Sequence, residues 1–158
     1  MTCAWTILGT NKKMHPHLSA NDVARFILNK LGTMTTWKLQ KLLYYCQAWS
    51  LVWDEKPLFY EDIEAWSNGP VIRSIYNKHR GYYLVGRWPY GDVRRINPQE
   101  MATIDAVLKH YGGKSSQWLS DLTHAELPWK HARKGLHPQE RGNRLITLES
   151  MSNYYSSL

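Results

Sequence analysis

Cysteine is nearly absent from this chain of 158 residues, with only Cys3 and Cys46 present. No Cys-x-x-Cys spacing occurs, so neither a zinc knuckle nor a thioredoxin-like redox pair can be built. Long apolar runs are missing too. Nothing approaches the roughly 18 residues that a membrane span needs, and residues 4–8 are too short for the apolar core of a secretory signal. The Gly-rich turns that cradle phosphate in a P-loop or a dinucleotide fold are lacking, as are Gly-x-Ser-x-Gly and His-Glu-x-x-His. There is no internal repeat and no low-complexity linker. These absences describe a protein of a reducing cytoplasm with no membrane partner. It is expected to be no enzyme and to carry no metal or cofactor.

What the chain does have is aromatic mass and positive charge. It holds eight Trp and ten Tyr, and hydrophobic residues make up 43% of it. That composition is globular, and 158 residues can bury about two thirds of their unfolded surface without a disulfide. Few tryptophans can be wholly hidden in one small domain, so some are expected at a contact surface. The formal charge is +7 and the pI about 9.4. A basic balance suits acidic partners, nucleic acid included, yet the Lys and Arg are scattered rather than gathered in a dense run.

The most distinctive stretch is TWKLQKLLYYCQAWSLVW, Thr36–Trp53. At about 100° per residue, Leu39, Leu42, Leu43, Cys46, Trp49 and Trp53 share one face. Tyr45, Ala48 and Val52 cover part of the opposite side. A helix apolar over more than half its circumference is buried on several sides. The stretch is therefore expected to be a central helix around which the others pack. Its Gln40–Tyr44–Gln47 and Lys38–Lys41 strips are the parts left over for the surface.

Upstream, residues 1–13 match nothing downstream in pattern. They read as a loosely held leader, or as an extension ahead of a start at Met14. The leader is taken to run over 1–17 and the domain over 18–158. His15 and His17 alone are too few to hold a metal. Ser19 caps a first helix with Asp22 at N3 and a Val23, Phe26, Ile27, Leu31 stripe that Gly32 ends. Thr35 or Thr36 caps the central helix, and Asp54 with Pro57 ends it. Ile63–Trp66 reads as a short extended piece and Asn68-Gly69 as a turn. Pro70 is placed at the first position of a new helix, where its fixed φ and missing N–H fit.

Residues 82–96 are broken by Gly86, Pro89 and Gly91 into a loop with one or two strand segments. Arg87, Trp88, Tyr90 and Arg95 in that loop are candidate partner-binding anchors; the competing reading tucks the loop back onto the core by its aromatics. Asn97-Pro98-Gln99-Glu100 is a capping box that opens another helix, with Met101, Ile104, Val107, Leu108 and Tyr111 as its stripe. Ser115 or Ser116 starts a short helix ending at Thr123-His124, and Pro128 a further turn stopped by Gly135. Residues 134–144 form a polar loop, and Thr147 caps a last helix. Glu61, Asp62 and Glu64 read as a solvated acidic turn. His124 could act as a general base, or could tie two backbone segments together, the role favoured here.

Three stretches together carry a family resemblance: LQKLLYYCQAW at 39–49, EAWSNGPVIRSIY at 64–76 and LSDLTHAELPWKHAR at 119–133. In order and spacing they resemble the Panacea domain, the SocA-like antitoxins and their phage-associated relatives. The resemblance implies a mainly α-helical single domain with at most a small irregular β element. It implies an antitoxin that binds a cognate toxin directly. In the SocA-like branch the antitoxin is instead a proteolytic adaptor that delivers its toxin to a AAA+ protease. Gly69, Pro70, Thr123, His124, Pro128 and Trp129 match the family motifs and are read as fold-defining. No catalytic residue carries over. Partner choice is then expected in residues 82–95 and the C-terminal segment. A basic nucleic-acid-binding regulator is the alternative from the charge, and a hydrolase using His124 ranks below it.

Overall fold

A computed structural model describes residues 15–158. Residues 1–14 of the leader expected over 1–17 lie outside the described residues, and so does Cys3. The fold is mainly α-helical. Helix α1 spans Ala20–Leu31, α2 Thr36–Trp53, α3 Arg73–His79, α4 Pro98–Tyr111, α5 Ser116–Ala125, α6 Leu127–Ala132 and α7 Leu148–Tyr155. Among the described residues five short strands accompany them: β1 Met34–Thr35, β2 Ile63–Trp66, β3 Gly69–Val71, β4 Leu84–Val85 and β5 Leu145–Ile146. They form an antiparallel β1–β4 pair and a three-stranded antiparallel sheet in the order β3-β2-β5. A 3-10 turn at Val93–Arg95 precedes α4.

Local chemistry sets most boundaries. Ser19 and Asp22 form a capping box at the start of α1, and Asn97 and Glu100 form another at α4. Such a box satisfies two orphan N–H groups at once. Thr35, Ser115 and Thr147 each accept an N–H of the first turn of α2, α5 and α7. Gly32 closes α1 with φ of +80°.

Helix α2 packs against α4, α7, α5, α1, β1 and β3. Leu39, Leu42, Leu43, Cys46, Ala48 and Leu51 are wholly buried on it. Trp53, expected on the buried face, is half exposed at the helix end, where its ring stacks on Trp49 at 5.0 Å.

The polar strip of α2 is the main correction to the sequence reading, because Gln40, Tyr44 and Gln47 are all buried. The two glutamines stand two turns apart and face two non-helical segments. Gln47 Oε1 accepts the N–H groups of Leu58 (2.7 Å) and Phe59 (3.2 Å), and its Nε2 donates to the Phe59 carbonyl at 2.9 Å. Gln40 Oε1 accepts from Ile72 N at 2.8 Å, and its Nε2 donates to the Ile72 carbonyl at 3.2 Å. An extended segment packed against a helix has no strand to pair with, and a buried unpaired backbone group is costly. The amide side chains stand in for that missing strand.

These bonds also bear on Pro70. It does not begin a helix: it lies in β3, opposite Ala65, and α3 starts three residues later. β3 is an edge strand, where a residue without an N–H is tolerated. Ile72, at the N-cap of α3, has no capping side chain of its own; Gln40 takes its N–H instead.

A second buried polar knot joins the helix ends. Glu126, between α5 and α6, accepts the hydroxyls of Tyr45 (2.6 Å) and Tyr155 (2.8 Å), and Tyr155 Oη lies 3.0 Å from Tyr44 Oη. Tyr45 stacks on Tyr111 at 4.2 Å. α2, α4, α7 and the α5–α6 corner thus share one aromatic cluster. Glu61 is not a solvated acid either. It accepts Ser19 Oγ (2.6 Å) and Ala20 N (2.8 Å), clamping the start of α1 to the segment after α2.

The glutamine bonds give a direct expectation. Gln47→Leu keeps the side-chain volume but strands two buried N–H groups and a carbonyl. Urea denaturation should show a loss of about 3 kcal/mol, from roughly 1–3 kcal/mol per orphaned group. A loss below about 1 kcal/mol would mean that water replaces the amide.

Candidate functional site

Two regions hold the residues that the sequence singles out. The first is the segment between α3 and α4. Its backbone starts at α2, where Thr36 N donates to Tyr83 O at 3.0 Å, and β4 pairs with β1 so that Leu84 faces Thr35 and Val85 faces Met34. Its far end is fastened to α1. Trp88 is buried, and its indole donates to Asn21 Oδ1 at 3.2 Å. Asp22 Oδ1 accepts Asp92 N at 2.6 Å, and Arg25 donates to the Gly91 carbonyl at 3.0 Å. At Gly91, with φ of +75°, a Cβ would stand 2.6 Å from the Asn21–Asp22 backbone, so only glycine lets the loop approach α1 this closely.

This geometry corrects the set of expected anchors. Trp88 is a core residue that secures the loop, as the competing reading had it. Arg95 is exposed but engaged: its guanidinium donates to the His17 carbonyl, and its own carbonyl lies 3.0 Å from His17 Nε2. Arg87 and Tyr90 do lie at the surface, Tyr90 edge-on to Trp88 and under the Lys78 ammonium. Within the 82–95 span expected to choose the partner, the most open residues are Tyr82, Tyr83 and Leu84, 71%, 73% and 54% exposed, none of them among the four named anchors. Three large apolar residues in a row ahead of Gly86 were the available signal.

The second region is where the family-motif residues meet. Gly69 in β3 lies directly against Lys41 of α2 and Thr123 of α5. With φ of +121°, Gly69 has no room for a side chain: a Cβ would fall 2.6 Å from Lys41 Cε and 3.1 Å from its Nζ. Thr123 is buried and its hydroxyl donates to the Ser120 carbonyl at 2.8 Å. His124 stacks on Trp129 at 4.2 Å. Trp129 in turn donates from its indole to the Trp66 carbonyl at 2.8 Å, and Pro128 lies in the first turn of α6. These positions join α2, the β2–β3 hairpin and α5–α6.

The electrostatics of this junction are unusual. Lys41 is fully buried, and its ammonium has no hydrogen-bond partner; it lies over the Trp37 ring, 5.1 Å from the centroid. Desolvation lowers its pKa from 10.5 to about 7. His124 Nε2 is also buried without a partner. Burial, and then the charges of Lys41 and Arg133, hold the imidazole below its ordinary value, against Asp121 and the Asn68 backbone. A sequence signal for Lys41 existed. It sits four residues after Trp37 and three and four before Tyr44 and Tyr45, on a helix apolar nearly all round, so its head has no route to water.

In front of this junction lies an open cavity of about 730 Å³. Trp37, Trp66 and Tyr76 give it three rings, and Arg73, Arg80 and Arg141 bring three guanidinium groups. Arg73 is ion-paired in a fork with Glu64, at 3.0 and 2.8 Å, and lies over Trp66. Glu64, like Glu61, is therefore no solvated acid. Arg80 and Arg141 have no ion-pair partner among the described residues. Arg133, buried beneath the loop, donates to the carbonyls of Ala65, His137 and Glu140 and so shapes the 134–144 segment that carries Arg141. Among the described residues no group of three or more His, Cys, Asp or Glu is placed to hold a metal ion. No described helix is long and apolar enough to cross a membrane.

The fold defines a small helical domain in which three separated sequence stretches meet around one helix. The model of the family described as antitoxin SocA-like, Panacea domain, matches residues 39–130, and the chain belongs to that family. The matched span opens in α2 and closes in α6, taking in the first two of the three stretches and most of the third. No curated protein and no solved structure gives a match.

The state of Lys41 has a measurable consequence. The unfolded chain keeps this lysine protonated up to about 10.5, whereas the folded chain releases the proton near 7. The unfolded state binds more protons in that window, so stability rises with pH through it, and the full penalty applies below about 7. Lys41→Met is near in volume and removes the penalty. It should stabilise the protein by a few kcal/mol at pH 6, with the gain shrinking steadily toward pH 10. Thermal melts of both proteins across that range test this; a gain independent of pH would show that burial leaves the lysine's pKa where it is in the unfolded chain.

Proposed function

We propose that this chain is an antitoxin that neutralises a cognate toxin by direct protein–protein contact in the cytoplasm, as a binding module without chemistry of its own. Family membership supports an antitoxin role. The observation that carries the contact mode is the segment after α3. Tyr82, Tyr83 and Leu84 expose most of their surface, and Arg87 and Tyr90 stand beside them. Aromatic side chains with arginine are what interface centres favour, since they bury large area at small entropic cost. A fixed mount favours binding further. With β4 paired to β1 and Trp88, Gly91 and Asp92 fastened to α1, the exposed side chains are held in one arrangement before a partner arrives. A preorganised surface loses less freedom on association.

The same reading makes the toxin the acidic or aromatic-accepting partner, because the cleft that Tyr82, Leu84 and Tyr90 line also holds Lys78 and Arg87 and is lined by no carboxylate. The test is co-expression with the adjacent gene. If that gene is toxic alone and the pair grows and co-purifies, the double variant Tyr82→Ala/Tyr83→Ala should weaken the complex by at least about thirtyfold, or 2 kcal/mol. It should keep its melting temperature, since both rings point to solvent. A pair that neither co-purifies nor rescues growth removes the proposal. A variant that binds as before moves the contact elsewhere.

A further inference from the structure

The cavity before the Lys41 junction has the makings of a second binding site, independent of the toxin contact. We propose that it binds a small ligand made of a planar ring and a phosphate group, a nucleoside phosphate.

Shape is the first argument. A volume of about 730 Å³ falls within the range of pockets that enclose small ligands, and it is built from rigid parts: the start of α2, the β2–β3 hairpin and α3. Trp66 and Tyr76 pack edge to face at 4.7 Å, and the third ring stands apart from that pair. Trp37 and Tyr76 stand 6.5 Å apart and tilted by 43°, a wedge that leaves faces for a base to stack on. Base–aromatic stacking is a strong and sequence-tolerant contact.

Charge is the second. Glu64 neutralises Arg73, but Arg80, the C-cap of α3, and Arg141, in the 134–144 loop, bring two further guanidinium groups to the cavity with no ion-pair partner among the described residues. A guanidinium fork matches phosphate oxygens in geometry as well as in sign.

The third argument is the wholly buried, unpartnered Lys41 ammonium behind the Trp37 wall. Gly69 lets it lie there, because any side chain at that position would displace it. An isolated buried charge is retained at a cost unless an opposite charge completes it. A phosphate in the cavity would supply that charge through a low-dielectric wall, where Coulomb attraction is weakly screened. Asn68, on the same rim, adds polar groups for sugar or phosphate. An acidic peptide would satisfy the arginines but would leave the ring wedge empty, and this decides between the two.

The experiment uses the full chain, titrated with ADP, adenosine and a glutamate-rich peptide, and read by tryptophan fluorescence and calorimetry. ADP should quench Trp37 and Trp66 emission saturably and bind at least tenfold tighter than adenosine or the peptide. Arg80→Ala/Arg141→Ala alters only exposed side chains and should weaken ADP at least tenfold with an unchanged melting temperature. Lys41→Met, expected to fold, should weaken it as well. The proposal is overturned if ADP does not saturate at millimolar concentration, if adenosine or the peptide binds as well as ADP, or if either variant binds ADP like the parent.

Discussion

Two glutamines two turns apart on one helix make this fold possible. α2 is buried nearly all round, and a helix so enclosed must be covered in part by chain that is neither helix nor sheet. The segments at 57–59 and at Ile72 provide that cover, and they would bring unpaired backbone groups into the core. Gln47 and Gln40 accept and donate to those groups with short amide bonds. Each glutamine is itself desolvated, so the arrangement holds only when every bond is made. The Tyr45–Glu126–Tyr155 knot repeats this logic at the other side of α2, with a carboxyl group in place of an amide. Burial raises the pKa of Glu126, and the two hydroxyls act against that shift.

Much of the fold is legible in the sequence, because helix limits are written in local chemistry. Ser19 with Asp22, Asn97 with Glu100, and Thr147 each place a helix start that the structure repeats. The central stretch and the short strand at Ile63–Trp66 have the limits that their apolar pattern gives. What failed depends on distant partners. Gln40 and Gln47 look like a surface strip until the segments at 57–59 and Ile72 are laid across them. Pro70 fits a helix start by local rule, yet a two-residue hairpin turn carries it into β3. Trp88 carries an anchor's signature, but Asn21, 67 positions away in sequence, receives its indole N–H. Glu61 and Glu64 read as solvated because Ser19 and Arg73 are not their neighbours in sequence.

The candidate sites divide in the same way. The motif residues Gly69, Thr123, His124, Pro128 and Trp129 are legible as a group, and they do converge on one junction. The role of Lys41 there is not legible from motif alone, since its isolation depends on what closes over it. The exposed Tyr82–Tyr83–Leu84 edge lies inside the 82–95 span that the sequence marks out, yet Trp88 is the residue that stands out there, because residue type, not exposure, is what a sequence displays. The resulting picture is a domain with a fixed interior and an exposed aromatic edge mounted on it. A helical scaffold of this kind can change its outward side chains at 82–90 without disturbing the glutamine bonds, because the ties to α1 are made by Trp88, Gly91 and Asp92 from beneath.

That picture rests on the glutamine-held segments being as firm as the helix that holds them. Amide hydrogen exchange, followed residue by residue on the free protein, reads this directly. The amides of Leu58, Phe59 and Ile72, which no helix or strand protects, should exchange as slowly as those of Leu42 and Leu43 in the middle of α2, while the exposed amides around Gly86 and Arg87 exchange within the dead time. Rapid exchange at Leu58, Phe59 and Ile72 would contradict the account and show that the glutamines do not hold these segments.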